Sequence, residues 1–259
     1  RLVGRCQSLG LGYDSFALYP IDEPNDDTIG KGGLEVWSML KEADPKVRVF
    51  VDPQASVPGL AKIAPAIDIW CPHLVKDQDL SEEYVRFYRS EQKSGKAFFT
   101  YNCQDSDKTF PTLGHYRRML WRCWNLGITG AGFWDYADTG HDKVEASAWT
   151  DFDGARVDFS IVYDAATAPP GVSRKEAQIP SRRWEAWRDG VEDYAYLWLL
   201  RQAAEKTEAE GRKAAAVAKA EGILAATVAA VVAKGDDLET YNAAHAAILE
   251  TLVELAKTE

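Results

Sequence analysis

The sequence predicts an α/β protein: a (β/α)8 TIM-type barrel, of which only the second half (about five strands) is visible, followed by a C-terminal α-helical hairpin. Three observations predict this. Short β-rich runs alternate with amphipathic helical stretches, which requires parallel pairing through crossover connections. Polar and aromatic residues gather where those runs end, at Asp22-Glu23, Asp52, His73, Tyr101-Asn102 and Trp134-Asp135-Tyr136, the rim where barrels place their sites. All nine Trp lie at or before Trp198, and beyond it Tyr241 is the only aromatic residue, so the composition changes near residue 205.

Residues 1–11 read as the tail of a helix. Strands are expected at 16–22, 47–52, 67–71, 97–102 and 130–135, with helices at 34–42, 81–92 and 115–126 between them. Residues 159–163 are a possible sixth strand. A barrel needs eight, so about three β/α units are expected upstream of Arg1. Ser181 is placed to cap a long helix in which Arg188 and Glu192 pair one turn apart. With Arg183, Glu185 and Asp193 they read as a salt-bridged helix that closes the barrel rather than as catalytic residues. In the remainder, Val217, Ala220, Leu224, Val228 and Val231 form one apolar stripe, and Leu238, Tyr241, His245, Ile248, Leu252 and Leu255 form a second. Residues 234–237 supply the turn between them. The expected domains are therefore 1–205, the barrel portion, and 206–259, the hairpin, with His245 a core or boundary residue.

Composition excludes several functions. The 259 residues carry 30 Lys plus Arg against 40 Asp plus Glu, a formal charge of -10 that repels phosphate backbones and anionic lipid. No nucleic-acid partner is expected. The longest uninterrupted small-and-apolar run, residues 223–233, falls well short of the roughly 20 residues that cross a bilayer, so no membrane span is expected. The four cysteines, Cys6, Cys71, Cys103 and Cys123, are widely spaced, which excludes zinc-type spacing and a disulfide scaffold. Asp135, Asp138, His141 and Asp142 have calcium-like spacing but no EF-hand register, so no metal is expected, and no cofactor either.

The sharpest local signal is Asp22-Glu23, two carboxylates side by side where a strand ends and Pro24 opens the next segment. Adjacent acids repel, which raises the pKa of at least one, as a general acid near neutrality requires. A sequential pair suits substrate-assisted glycoside hydrolysis, in which the sugar's own acetamido oxygen attacks the anomeric carbon. One acid protonates the leaving oxygen while the other accepts the acetamide N–H. Spacing alone equally allows Asp22 or Glu23 to cap the helix that starts near Pro24. Trp70, Tyr101, Trp134 and Tyr136 fall near strand ends and could stack on a pyranose face. Trp134 and Tyr136 share one face by the two-residue period of a strand, so if one points into the site the other is expected to do so too. Trp149 could close over the sugar from its loop, and His73 could bind a sugar hydroxyl.

Four segments carry a resemblance to a known family: 19–24 (Tyr-Pro-Ile-Asp-Glu-Pro), 100–103 (Thr-Tyr-Asn-Cys), 127–136 (Gly-Ile-Thr-Gly-Ala-Gly-Phe-Trp-Asp-Tyr) and 181–194, the Trp-rich helix. In order and spacing, over roughly residues 5–205, the chain resembles the catalytic domain of glycoside hydrolase family 123, also called domain of unknown function 4091. It departs at Asn102-Cys103-Gln104, where the family more usually has a pair of cysteines. The resemblance implies a barrel whose adjacent Asp-Glu performs substrate-assisted hydrolysis of β-linked N-acetylgalactosamine. Glu23 then corresponds to the general acid/base and Asp22 to the residue that orients the acetamido group. A glycan or glycoconjugate is the implied partner, and the alternative is a non-catalytic carbohydrate-binding or structural barrel of the same family.

Overall fold

The computed structural model describes residues 2–74, 81–102, 110–134, 136, 148–149, 160–172, 177–211 and 214–257. The fold is mixed α/β, with a four-stranded parallel sheet and a C-terminal helical region. The chain divides into two compact units, residues 1–103 with 127–133, and residues 104–126 with 134–259.

The first unit begins with α1 (Leu2–Ser8), which buries nothing. A single turn, α2 (Asp26–Thr28), and a wide turn over Ile29–Gly33 lead into α3 (Leu34–Ala43). Next come β1 (Phe50–Val51), α4 (Val57–Ile63), β2 (Ile69–Trp70), α5 (Glu82–Lys93), β3 (Ala97–Asn102) and β4 (Gly130–Phe133). Sheet order is β1-β2-β3-β4, every pair parallel, so neighbours in the sheet are neighbours in the chain. Alternate β-branched and aromatic side chains explain the pairing. Val49, Val51, Ile69, Trp70 and Phe98 are buried, and Tyr88 of α5 stacks on Phe98 at 5.0 Å.

Two expectations about this unit need correction. The strand predicted at 16–22 reduces to one parallel bridge, Leu18 to Val49, in which Leu18 N–H donates to Arg48 O and Phe50 N–H to Leu18 O. Pro20 has no N–H to continue the ladder, and the chain bends at residues 21–23. Helix α4, by contrast, has no counterpart in the prediction, because Pro58 and Gly59 read as a turn. Ser56 caps it by accepting Gly59 N–H, and Pro58 sits in its first turn, where no helix hydrogen bond is lost.

In the second unit a wide-turn helix over Thr112–Arg117 runs into α6 (Arg118–Leu126). The possible sixth strand is not a parallel strand: β5 (Val162–Asp164) pairs antiparallel with β6 (Gln178–Pro180) as a separate ribbon. Helix α7 (Arg182–Ala209) starts where predicted, with Ser181 accepting from Arg183 and Trp184 N–H, and it runs through residue 205 without a break. Helices α8 (Ala214–Lys234) and α9 (Leu238–Ala256) follow, and Asp237 caps the latter. Trp121, Leu197, Leu200, Val228, Val231, Tyr241 and Ile248 form the core shared by these helices. Both stripes are inward-facing except at Leu238, which is exposed at the first turn of α9.

Against the expectation that no stretch could span a bilayer, α8 is long and apolar enough by length and composition. An uninterrupted-run count missed it because scattered polar residues break the run. Its apolar content has a packing role in this fold: Val217, Ala220, Leu224, Val228 and Val231 are buried in the helical core.

A buried ion cluster lies within that core. Asp193 is 0% exposed and accepts Arg117 Nε–H at 2.7 Å, Arg117 Nη2–H at 2.9 Å and Trp121 Nε1–H at 2.7 Å. His245 Nε2 stands 2.5 Å from Oδ1, the oxygen that also accepts Arg117 Nη2–H, and the Arg117 guanidinium lies over the Tyr241 ring at 4.3 Å. Burial alone would raise the Asp193 pKa, but His245, Arg117 and Trp121 together hold it below the ordinary carboxylate range.

Candidate active site

The parallel strands of the first unit all deliver their C-terminal ends to one edge of the sheet. Asp22 and Glu23 follow the Leu18 bridge, Asp52 and Gln54 follow β1, His73 follows β2, and Tyr101 lies near the end of β3. Within this unit these residues converge. The Tyr101 hydroxyl donates to Glu23 Oε1, and Gln54 Nε2–H donates to Glu23 Oε2 at 2.6 Å. Tyr19 Oη is hydrogen-bonded to Asp22 Oδ1 and, at 2.5 Å, to Asp52 Oδ2. Asp52 Oδ1 accepts Glu23 N–H at 3.0 Å. The His73 and Tyr101 rings lie 4.8 Å apart, and their backbones form a parallel bridge.

The capping alternative for the acid pair fails on geometry. The cap of α2 is Asn25, whose Oδ1 accepts Thr28 N–H at 2.9 Å, so neither Asp22 nor Glu23 is used for that purpose. Glu23 is also the one non-glycine residue with positive φ among the described residues, at 42°. A left-handed conformation costs on the order of 1 kcal/mol or more for a side chain of this kind, and it persists only where the surroundings over-determine it. The bond from Glu23 N–H to Asp52 does so here. Asp26 binds Ser56 N–H and Oγ–H, and its carboxylate oxygen lies only 2.0 Å from where a Cβ on Gly59 would be, so a side chain at 59 would have to displace Asp26.

Asp22 and Glu23 are exposed to solvent, whereas Asp52 is 9% exposed. Burial pushes the Asp52 pKa up, and the nearby Asp22 charge adds to the rise, against the lowering by hydrogen bonds from Tyr19 and Glu23 N–H. Both phenols are raised as well: Tyr101 by burial and its bond to Glu23, Tyr19 by burial and its bonds to Asp22 and Asp52. Each therefore stays a neutral hydrogen-bond donor.

Trp70 needs correction as a candidate sugar platform. It is fully buried, edge-on to Phe87 and Tyr88, with Nε1–H bonded to Glu91 Oε2 at 3.3 Å. It offers no face to a ligand. Trp134, Tyr136 and Trp149 belong to the second unit. Since β4 ends at Phe133, the shared face expected for Trp134 and Tyr136 does not follow from strand periodicity. Both rings are exposed, Tyr136 edge-on to Trp184 at 5.3 Å. Trp149 is stacked on Tyr163 at 4.4 Å, and its Nε1–H bonds Asp164 O. Asp135, Asp138, His141 and Asp142 lie outside the described residues; among those described, no group of three metal-ligating side chains occurs.

Asp52 was expected at the strand-end rim, as the polar end of a Val-Phe-Val run, but sequence reasoning gave it no part in the chemistry, and it gave none to Tyr19 or Gln54. A cleft of about 560 Å³ lies in the second unit, lined by Trp124, Arg201, Glu205, Glu221 and Leu224. Arg201 covers the Trp124 ring there at 4.0 Å, and no pair of facing acids and phenols comparable to the sheet-edge array lines it.

No family model matches the chain, and no curated protein does. Among solved structures, the fold is similar to that of a family 123 glycoside hydrolase from Clostridium perfringens, described for its hydrolysis of glycolipid glycans. The TM-score is 0.59 at 12% sequence identity. The match covers 98% of this chain and 42% of that one, so the chain spans less than half the length of that structure. At this identity the likeness is one of fold.

Proposed function

We propose that this chain carries the catalytic edge of a retaining glycoside hydrolase acting on β-linked N-acetylhexosamine, with N-acetylgalactosamine foremost, in part of a (β/α)8 barrel. The observation that carries the reading is an exposed, adjacent acid pair at the C-terminal edge of a parallel sheet. Neither acid serves as a helix cap, and each is oriented by a phenol. The likeness in fold to a family 123 glycoside hydrolase that acts on glycolipid glycans supports it.

In this reading the acetamido oxygen attacks the anomeric carbon as the bond to the aglycone oxygen breaks, and Glu23 delivers its proton to that oxygen. Asp22 Oδ1 is engaged by Tyr19, so Oδ2 accepts the acetamide N–H and balances the positive charge of the oxazoline-type intermediate. Water then attacks the same carbon from the side the aglycone left, giving its proton to Glu23 as the bond from that carbon to the acetamido oxygen breaks and the acetamide is restored, so configuration is retained. Both Glu23 oxygens accept hydrogen bonds in the free site, so one donor must yield when Glu23 is protonated. Gln54 can do this by a half-turn of its amide, which turns an N–H donor into a carbonyl acceptor.

The test is turnover of an aryl β-N-acetylgalactosaminide, with the anomer of the first product followed by NMR. The β-anomer is expected first, and azide should not rescue Asp22→Asn, since no protein nucleophile has been removed. A glycosyl azide of inverted configuration would make Asp22 a covalent nucleophile and overturn the mechanism. Sugar binding without turnover would favour a carbohydrate-binding module instead.

A further inference from the structure

The Tyr19 hydroxyl has one proton and stands between two carboxyls, Asp22 Oδ1 and Asp52 Oδ2. A phenol donates one hydrogen bond, and two oxygens bearing only lone pairs repel when held at hydrogen-bond distance. Ionising both acids would leave one of these contacts without a proton. A second proton therefore resides in the array, on Asp22 or on Asp52.

Geometry selects Asp52. Its Oδ1 already accepts Glu23 N–H at 3.0 Å, as the carbonyl oxygen of a neutral acid does, and its Oδ2 faces Tyr19 Oη at 2.5 Å, where a hydroxyl can donate. Asp52 is nearly closed to water, whereas Asp22 is exposed and its charge can be solvated. Among the described residues, the titratable groups facing Asp52 are Tyr19, Asp22 and, from β3, Tyr101 with its partner Glu23, and none of these is a cation that would hold Asp52 ionised. Burial and the Asp22 charge also move the Asp52 pKa upward.

We propose that Asp52 is a positioning residue of the site: as the neutral acid it donates to the Tyr19 hydroxyl, which donates to Asp22, so that Asp22 remains the charged member of the pair. The same side chain holds Glu23 in its left-handed turn through the backbone N–H. One buried proton thus sets both the charge of the orienting acid and the direction of the other. The catalytic consequence rests on the function proposed above, but the location of the proton does not.

Asp52→Asn keeps an acceptor at one position and a donor at the other, and it cannot ionise, so it separates the two questions. An unfolded-chain Asp titrates near about 3.9. With the folded value raised, the stability Asp52 contributes is complete below about pH 3.9 and is lost as pH rises through the folded value. Melting temperatures of wild type and Asp52→Asn are compared between about pH 4 and pH 8. The difference should shift in favour of the Asn variant as pH rises; a constant difference, or one of opposite sign, overturns the proposal whether or not the protein cleaves any sugar.

The positioning role is read separately, with the aryl glycoside. With a good leaving group, whose departure does not need the Glu23 proton, the wild-type profile should fall on its alkaline side as Asp52 ionises, and this limb should be missing from Asp52→Asn. Asp52→Leu, which has neither donor nor acceptor, should lie at least about tenfold below Asp52→Asn in kcat, with a smaller change in KM. Equal losses in both variants with the alkaline limb retained would make Asp52 merely structural. If the Leu variant fails to fold, the Asn profile alone decides.

Discussion

In the helical unit Asp193 is fully buried and its oxygens are taken by Arg117, Trp121 and His245, whereas at the sheet edge Asp22 and Glu23 are exposed and are held by two phenols and an amide. Both clusters orient carboxylates by hydrogen bonds; they differ in the charge of the donors and in access to water. A cationic, closed shell fixes the ionised state and leaves nothing for a ligand to bind, so Asp193 acts on stability. Neutral donors orient an acid without neutralising it, and exposure leaves an oxygen for substrate. Asp52 stands between these cases, buried like Asp193 but without a cation beside it among the described residues, and its pKa moves in the opposite direction.

The largest expected effect follows from removing one partner of the buried cluster. Asp193→Ala removes the buried carboxylate that pairs with Arg117 and binds Trp121 and His245, and it should cost about 3–5 kcal/mol, read from denaturant midpoints; a loss below about 1 kcal/mol would erase the contrast. Because the folded pKa of Asp193 is depressed, its contribution is present above about pH 3.9 and disappears as pH falls through the folded value. Asp22→Asn should do the reverse of Asp193→Ala. Turnover should fall by about 10²–10³-fold, equivalent to about 2.7–4 kcal/mol of transition-state stabilisation, while stability stays within about 0.5 kcal/mol.

Smaller effects sharpen the same division. Tyr101→Phe removes one of the two donors to Glu23 and should lower kcat by roughly 10–100-fold, hydrogen bonds to charged groups being worth about 1.5–3 kcal/mol. Ser181→Ala deletes the cap of the helix that carries Asp193. It should lower stability by about 0.5–2 kcal/mol and leave the leaving-group dependence of turnover unaltered.

What could be read in advance depended on whether the signal was local. β3, the start and cap of α7 and the turn into α9 are written in contiguous residues, and the acid pair announces itself by adjacency. Helix α4 was hidden because Pro58 and Gly59 look like a turn unless Ser56 is recognised as its cap. The direction of β5 depends on its pairing with residues 178–180, which no local pattern in 159–163 encodes. Trp70 and Tyr101 both end β-rich runs, yet one is sealed by Phe87 and Tyr88 while the other reaches Glu23, a difference set by neighbours distant in sequence. The role of Asp52 was equally out of reach, because its proton is located by Tyr19, 33 residues away.

The most direct test of the account is the leaving-group dependence of Glu23→Gln. With an unactivated β-N-acetylgalactosaminide, whose departing alkoxide needs a proton, turnover should fall by about 10²–10⁴-fold. With an aryl glycoside bearing a good leaving group the loss should be much smaller, since the bond to the aglycone breaks without protonation. Equal losses on the two substrates would contradict the account, reducing Glu23 to a structural residue and the sheet-edge array to a second, exposed counterpart of the Asp193 cluster.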